Sequence, residues 1–216
     1  MRLVAFGCSY TQGIGLNGLD HTYSRYYDSP LESVLKVESA SNDAWPHLLA
    51  DKLDLECVNL GQGGNSSKFV FQMIREFDFQ ETDIVVIQWP QPERHVIWQN
   101  DIEGYNTLLQ IAPGYGHAVQ YYRQYYTTFD SCYNTAVYIE NTHTYLKDKC
   151  KALYSVSYND TKEMVENETL KATFPILADV GEFFVANLSR DICNDGHPGK
   201  TYHEEFANRM AEKIKS

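Results

Sequence analysis

The sequence lacks the features that mark several large classes of protein. None of its apolar runs approaches the length of a membrane-spanning helix. Its 18 basic residues are outnumbered by 29 acidic ones, and the formal charge of −11 repels phosphate backbones and anionic membranes. Because the first predicted strand begins at Arg2, no room is left for a cleavable leader. We therefore expect a cytoplasmic protein that binds neither nucleic acid nor membrane.

Paired cysteines of the disulfide or metal-site kind are also missing. The five cysteines are odd in number and widely scattered, with no close Cys or Cys/His pair. The seven histidines show no paired spacing with each other or with carboxylates. We therefore expect reduced thiols, and the sequence supports neither a metal ion nor a cofactor.

The length and composition favour one compact domain over residues 1–216. A 43% hydrophobic content supplies one full core rather than two. In the first half of the chain, apolar runs predict strands over Arg2–Phe6, Leu55–Leu60 and Asp83–Trp89. Helices are predicted between them, over Trp45–Leu53 and from Asn65 or Ser66 to about Phe79. This alternation predicts a three-layer α/β/α sandwich with a mostly parallel sheet of about five strands.

The second half of the chain is predicted to complete the sheet. A long helix is expected over His117–Cys150, a fourth strand over Ala152–Tyr158, a weaker fifth within Phe174–Val185, and a last helix over Pro198–Ile214. Aromatic residues on the long helix repeat at spacings of four and three, at Tyr122, Tyr126, Phe129 and Tyr133, followed by Val137. We interpret this stripe as core rather than as a stack of sugar-binding rings.

Two long polar segments are predicted to be loops beside a site. They are Ile14–Asp43 and Pro90–Gly116, and both leave the sheet at strand ends, where open parallel sheets gather their ligands. Trp89, Trp98 and Tyr115 are candidate aromatic contacts for a sugar ring. The alternative is that these rings hold the loops against the core.

A serine stands where the first strand breaks into a glycine-flanked turn, Phe6-Gly7-Cys8-Ser9-Tyr10-Thr11-Gln12-Gly13. Such a turn holds a side chain rigid and exposed, as a nucleophile requires. Two later stretches follow in order, Val58-Asn59-Leu60-Gly61-Gln62-Gly63-Gly64-Asn65-Ser66 and Asp195-Gly196-His197-Pro198. After such blocks, His197 is a candidate general base, although an isolated histidine there would be interpreted as a helix cap.

Together the three blocks resemble those of the SGNH, or GDSL-type, hydrolases. The resemblance implies a flavodoxin-like fold with Ser9 as nucleophile, His197 as general base, and the backbone amides of Ser9 and Gly61 as oxyanion-hole donors. It also implies a serine ester hydrolase acting on small-molecule or glycan esters, including O-acetyl groups of carbohydrates. Short members of the family resemble those carried by bacteriophages.

The chain departs from the family in its third block. The family places an oxyanion-hole asparagine just after the third strand, and this chain has Pro90-Gln91-Pro92-Glu93-Arg94 there. Gln91 carries a suitable amide and Arg94 a suitable charge. Gln91 is therefore the first choice for the third donor, and Arg94 the second.

A second departure concerns the acid that orients His197. The family usually places it three residues before the histidine, where this chain has Asn194, while Asp195 stands two residues before. Asparagine lacks the charge that stabilises an imidazolium and can fix the wrong tautomer. We therefore assign the role to Asp195, with Asn194 as second choice.

Other patterns compete with this interpretation. Gly13-Ile14-Gly15-Leu16-Asn17-Gly18 spells the dinucleotide fingerprint, but its glycines lie beyond the turn and open no apolar helix. Cys8 is the second choice as nucleophile, since it adjoins Ser9. A catalytically silent glycan-binding or structural module, and an acyltransferase, stay open as alternative functions.

Overall fold

The computed structural model describes residues 1–16, 40–100, 106–111, 116–157, 164, 166–180, 191–193 and 196–216. Most of the first predicted loop lies outside these residues, as do Tyr115, Asn194 and Asp195, and the side chain of Trp98 is not described. The predictions made for them are therefore not addressed by the structure.

The strands of the described residues form two sheets. In chain order they are β1 (Arg2–Gly7), β2 (Glu56–Gly61), β3 (Ile84–Trp89), β4 (His95–Asn100), β5 (Asn106–Ile111) and β6 (Ala152–Ser157). The main sheet is wholly parallel in the order β2-β1-β3-β6, so that β1 and β3 are its inner strands. β4 and β5 pair with each other as a separate antiparallel hairpin.

The helices are α1 (Ser9–Gln12), α2 (Trp45–Leu53), α3 (Ser67–Glu76), α4 (Val119–Gln124), α5 (Thr128–Leu146), α6 (Glu168–Thr173) and α7 (Lys200–Lys215). Short 3-10 turns cover Gly116–Ala118 and Pro175–Ala178. The predicted cap of α3 is confirmed, since the Ser66 hydroxyl accepts a hydrogen bond from the Phe69 amide at 3.4 Å. Pro46 stands in the first turn of α2, where its missing N–H costs nothing.

Alternate side chains of β1 enter two different cores. Leu3 and Ala5 pack in one cluster with Trp45 of α2 and Phe206 of α7. Val4 and Phe6 pack in the other cluster, which contains residues of α3 and α5. Because a strand alternates its faces, helices must cover both sides of the sheet. The three-layer α/β/α sandwich with a mostly parallel sheet is thereby confirmed.

Several predicted elements differ from the observed ones. The segment Pro90–Gly116 contains the β4–β5 hairpin, which its turn-rich composition concealed. Residues 174–180 of the predicted fifth strand form a 3-10 turn and a bend instead of a strand, and residues 181–185 lie outside the described part. The main sheet described here therefore has four strands rather than five.

The predicted long helix is divided into two helices, and the face predicted to be buried is not the face that packs in the core. It divides into α4 and α5 around Tyr125–Thr127, and the aromatic stripe is not core: Phe129 is 52% exposed and Tyr133 40%. The buried stripe of α5 consists of Cys132, Ala136, Ile139 and Leu146. These residues pack in the core cluster that also contains residues of α3 and of the main sheet.

Two further findings concern the chain as a whole. All five cysteines are free thiols. Within the described ranges, no helix combines the length and the apolar character needed to cross a bilayer.

Candidate active site

Ser9 is the first residue of α1, which follows the inner strand β1 after a single residue. Cys8 is extended (φ −100°, ψ −155°), and its carbonyl accepts hydrogen bonds from the amides of Thr11 and Gln12 at 3.0 Å. The helix ends at Gly13, whose φ of +82° favours glycine. The chain thus changes from strand to helix within one residue and presents Ser9 at the carboxyl end of the sheet.

Ser9 is more deeply buried than the turn pattern predicts. Ser9 is only 3% exposed, although an exposed serine is expected at such a turn. Neither its amide nor its hydroxyl forms a hydrogen bond with any residue that the structure describes. Both groups therefore keep unused hydrogen-bonding capacity.

A buried glutamine on β3 holds the Ser9 turn in place through side-chain hydrogen bonds. Gln88 Oε1 accepts hydrogen bonds from Thr11 Oγ1 at 2.9 Å and from Trp45 Nε1 at 3.2 Å. Its Nε2 donates to the Tyr202 hydroxyl at 3.0 Å. The four side chains join α1, β3, α2 and α7. Sequence reasoning missed Gln88, and the available signal was a lone amide in an otherwise apolar strand.

The predicted oxyanion donor Gly61 has a partner of its own. Its amide donates to Asn59 Oδ1 at 2.9 Å, and Asn59 Nδ2 donates to the carbonyl of Thr11 at 2.8 Å. A Cβ atom on Gly61 would stand 2.3 Å from the Gln12 nitrogen. Glycine is therefore required here for the close contact between β2 and α1, and the amide would have to leave Asn59 before it could bind an oxyanion.

Gly63 is the loop glycine beside the serine. A Cβ atom on Gly63 would lie 3.9 Å from Ser9 Cβ and 2.7 Å from Ile14 Cδ1. The amide of Gly63 donates to Gln12 Oε1 at 2.8 Å. The loop that follows β2 therefore packs directly on the serine turn and contributes to the burial of Ser9.

His197 lies on a closed loop that enters α7. An antiparallel bridge joins Ile192 to Pro198, and the Cys193 amide donates to the His197 carbonyl at 2.8 Å. The half-buried His197 ring meets the Tyr10 ring edge-on, with centroids 5.5 Å apart. The structure thus brings the histidine loop against the residue that follows Ser9. No hydrogen bond joins Ser9 to His197 among the described residues.

A second histidine, His203, is wholly buried beneath this loop. Its Nδ1 accepts a hydrogen bond from the Trp45 amide at 3.0 Å, and its Nε2 has no hydrogen-bond partner among the described residues. Burial lowers the pKa of His203 to about 4, although Asp191 acts in the opposite direction. Sequence reasoning missed this neutral imidazole, which links α7 to the start of α2.

The other residues predicted to take part in the site differ in burial and in location. Gln91 follows β3 and is buried, and its side-chain amide forms no hydrogen bond within the described residues. Cys8 is buried at the start of α1. Arg94 lies beyond Gln91 and lines a separate cavity. Trp89 is fully buried and donates to Ser155 Oγ at 3.3 Å, so its prediction as a sugar contact is wrong.

Solved structures resemble this fold along the whole chain. An acetyl xylan esterase from the rumen bacterium Butyrivibrio proteoclasticus superposes with a TM-score of 0.57 at 11% identity, covering 99% of this chain and 63% of that one. A carbohydrate esterase, whose active site is described as having divergent catalytic and non-catalytic binding functions, gives 0.52 at 16% identity, with 99% and 64% covered. This chain therefore spans less than two thirds of either.

No protein-family model matches the chain, and no curated protein matches it. At these identities the structural likenesses establish the fold, which is the one implied by the resemblance to the SGNH hydrolases. Within the described ranges, no group of three or more His, Cys, Asp or Glu side chains is arranged to hold a metal ion.

Proposed function

We propose that this protein is a serine ester hydrolase of the SGNH type, with Ser9 as nucleophile, His197 as general base and Asp195 as the residue that orients His197. The observation that carries the proposal is the position of Ser9. It opens a helix at the carboxyl end of an inner parallel strand, and the His197 loop packs on the next residue, Tyr10. Open α/β sheets place their reactive groups at this edge.

The proposed reaction needs only groups of this chain and water. The Ser9 hydroxyl attacks the acyl carbon of the ester while His197 takes the hydroxyl proton. The tetrahedral intermediate then expels the alcohol, which receives that proton from His197. Water, activated in turn by His197, releases the acid from the acyl-serine and restores the free hydroxyl.

The proposed donors for the oxyanion differ in their present hydrogen bonding. The backbone amide of Ser9 has no partner within the described residues, whereas the Gly61 amide is held by Asn59. The unpaired buried atom of Gln91 is its Oε1, an acceptor, so that its Nε2 is the atom proposed to donate. One such donor contributes on the order of a hundredfold or more in rate. We therefore assign the oxyanion to Ser9 and Gln91 first, and to Gly61 if Asn59 releases it when substrate binds.

The proposed substrates are acyl or O-acetyl esters, including those of carbohydrates. Two similar structures are carbohydrate-active esterases by name, and this supports the carbohydrate class. Transfer of the acyl group to a sugar hydroxyl instead of water would use the same residues.

A fluorophosphonate probe tests the nucleophile. Such probes form a covalent bond with an activated serine, so peptide mass spectrometry should find the adduct on Ser9. Ser9→Ala should abolish labelling and the hydrolysis of short-chain aryl esters, while Cys8→Ala should retain both. Labelling that survives Ser9→Ala and disappears in Cys8→Ala would transfer the role to the thiol.

The orienting acid is tested by two exchanges. Asp195→Asn removes the charge that would stabilise the imidazolium, and in a serine-protease triad the corresponding change costs about ten-thousandfold in kcat. We expect a strong fall in kcat with little change in thermal stability, whereas Asn194→Asp should leave the activity similar or raise it. Full activity in Asp195→Asn, together with no activity in Asn194→Ala, would assign the role to Asn194.

A silent glycan-binding or structural module is the second candidate. The observation in its favour is that the Gly61 amide, a donor in the resembled enzymes, is occupied by Asn59. This candidate predicts no labelling of Ser9 and no turnover of aryl esters by the folded protein. The probe experiment therefore separates the two functions.

A further inference from the structure

A cavity of about 270 Å³ lies apart from Ser9, between α3, α4, α5 and the segment that follows β3. Ser67 and Lys68 line it from the start of α3, and Arg94 and His95 line it from the entry to β4. Tyr121 and Ser131 contribute from α4 and α5. This volume suits a small group rather than a drug-sized molecule.

The charge of the cavity is opposite to that of the whole chain. Lys68 and Arg94 are its only charged lining residues among those described, in a protein whose formal charge is −11. Neither forms an ion pair with a carboxylate in the described ranges, and Lys68 Nζ contacts only the Val96 carbonyl, at 3.4 Å. Two cations without a counterion favour the binding of an anion.

Further hydrogen-bond donors belong to residues that line the same cavity. The amides of Ser67 and Lys68 at the start of α3 have no hydrogen-bond partner within the described residues, and a helix start carries partial positive charge. Ser67 is 4% exposed, and its hydroxyl has no hydrogen-bond partner within the described residues either. A buried unsatisfied hydroxyl is costly unless a ligand or water completes it.

The polar groups on the opposite wall are held in place. His95 Nε2 lies 3.2 Å from the Tyr121 hydroxyl and 3.4 Å from Ser131 Oγ. Burial lowers the pKa of His95, Asp130 opposes this shift, and Lys68 adds to it. Asp130 is exposed, hydrogen-bonds with Asn134 and is not a lining residue. His95 therefore lies beside the two cations with a lowered pKa, and a change in that pKa would reveal an anion bound near it.

We propose that this cavity binds a small oxyanionic group, a carboxylate or a phosphate. Arg94 and Lys68 would supply the charge, and the amide and hydroxyl of Ser67 would supply hydrogen bonds. The group has two conceivable sources, a free anion or an acidic part of the ester substrate. Binding itself does not require hydrolysis, and only the second source depends on the proposed function.

Inorganic phosphate and acetate, titrated separately into the full chain, test the binding. Calorimetry should show saturable 1:1 binding of at least one of them, and NMR should show that the pKa of His95 rises with the bound anion. Lys68→Gln and Arg94→Gln should each weaken binding about tenfold or more. Arg123→Gln is the matched control, because it removes an exposed cation of α4 that does not line the cavity.

Two outcomes would overturn the proposal. One is the absence of saturable binding in the millimolar range for both anions. The other is equal binding by wild type, Lys68→Gln and Arg94→Gln, with thermal melts showing that both variants are folded. None of these measurements uses catalysis. The proposal of an anion site can therefore fail while Ser9 is labelled, and it can hold while Ser9 is not labelled.

Aryl esters then distinguish the two sources. The ratio of kcat/KM for p-nitrophenyl hemisuccinate to that for neutral p-nitrophenyl butyrate is compared between wild type and Arg94→Gln. A ratio that falls about tenfold would assign the anion to the substrate. An unchanged ratio together with phosphate or acetate binding would assign the site to a free anion, which equally supports an anion site.

Discussion

Gln88 offers the sharpest test of how the serine turn is supported. Replacement by methionine keeps the approximate length of the side chain but removes all three of its hydrogen bonds. The Thr11 hydroxyl and the Trp45 indole N–H would be left as buried donors, each costing about 1–3 kcal/mol. We therefore expect Gln88→Met to lower the free energy of unfolding by about 4 kcal/mol, a large part of a typical 5–15 kcal/mol.

Tyr202→Phe is the matched variant, because it removes only the bond from Gln88 Nε2 and keeps the ring. Its cost should be about 1–2 kcal/mol. Denaturant melts give both values, and the rate of fluorophosphonate labelling reports the turn: it should fall more in Gln88→Met, since Thr11 stands two residues after Ser9. If Gln88→Met unfolds within about 1 kcal/mol of wild type, or costs no more than Tyr202→Phe, the reasoning is wrong.

Two further predictions concern His203 and Gly63. Because burial lowers the pKa of His203 from 6.5 to about 4, the unfolded chain binds more protons between these values, and acidification from pH 7 to 4 should cost about 3 kcal/mol of stability. Denaturant melts of His203→Asn, which retains an acceptor for the Trp45 amide, should depend less on pH, and an identical dependence would refute the assignment. Gly63→Ala would bring a Cβ atom to 2.7 Å from the movable tip of Ile14 and to 3.9 Å from Ser9 Cβ, so the labelling rate should fall about tenfold or more while the protein stays folded. Gly116→Ala, which meets open space, should change neither the labelling rate nor the melt, and equal labelling by the two variants would contradict the proximity argument.

The fold could be predicted from the sequence where periodicity and burial agree. The strand Ile84–Trp89 is buried along its whole length and apolar except at Gln88 because helices cover both of its faces, and the repeat of Tyr202, Phe206 and Met210 marks the buried face of α7. The aromatic stripe over α4 and α5 was wrongly predicted to be core because helical spacing identifies a face without showing whether that face is buried. The β4–β5 hairpin was missed because its turn-rich surroundings are equally typical of loops.

The candidate site could be proposed from its order along the chain, but its hydrogen bonding could not be predicted. Local patterns single out Ser9 and His197, whose catalytic roles stay a prediction. No local pattern indicates that Asn59 occupies the Gly61 amide, or that Gln88 holds Thr11, because both contacts join elements distant in sequence. A polar residue inside an apolar strand was the sole signal for such a contact, and it identifies no partner.

The position of β1 inside the sheet affects how the protein is made on the ribosome. β1 is synthesised before both of the strands that pair with it, which begin at Glu56 and Ile84, and the His203 contact with Trp45 spans 158 positions. An apolar strand without partners is prone to aggregate, and such distant contacts slow folding. The nascent Leu3–Phe6 segment must therefore stay unpaired or shielded through much of translation, and the surroundings of Ser9 are completed only when α7 emerges.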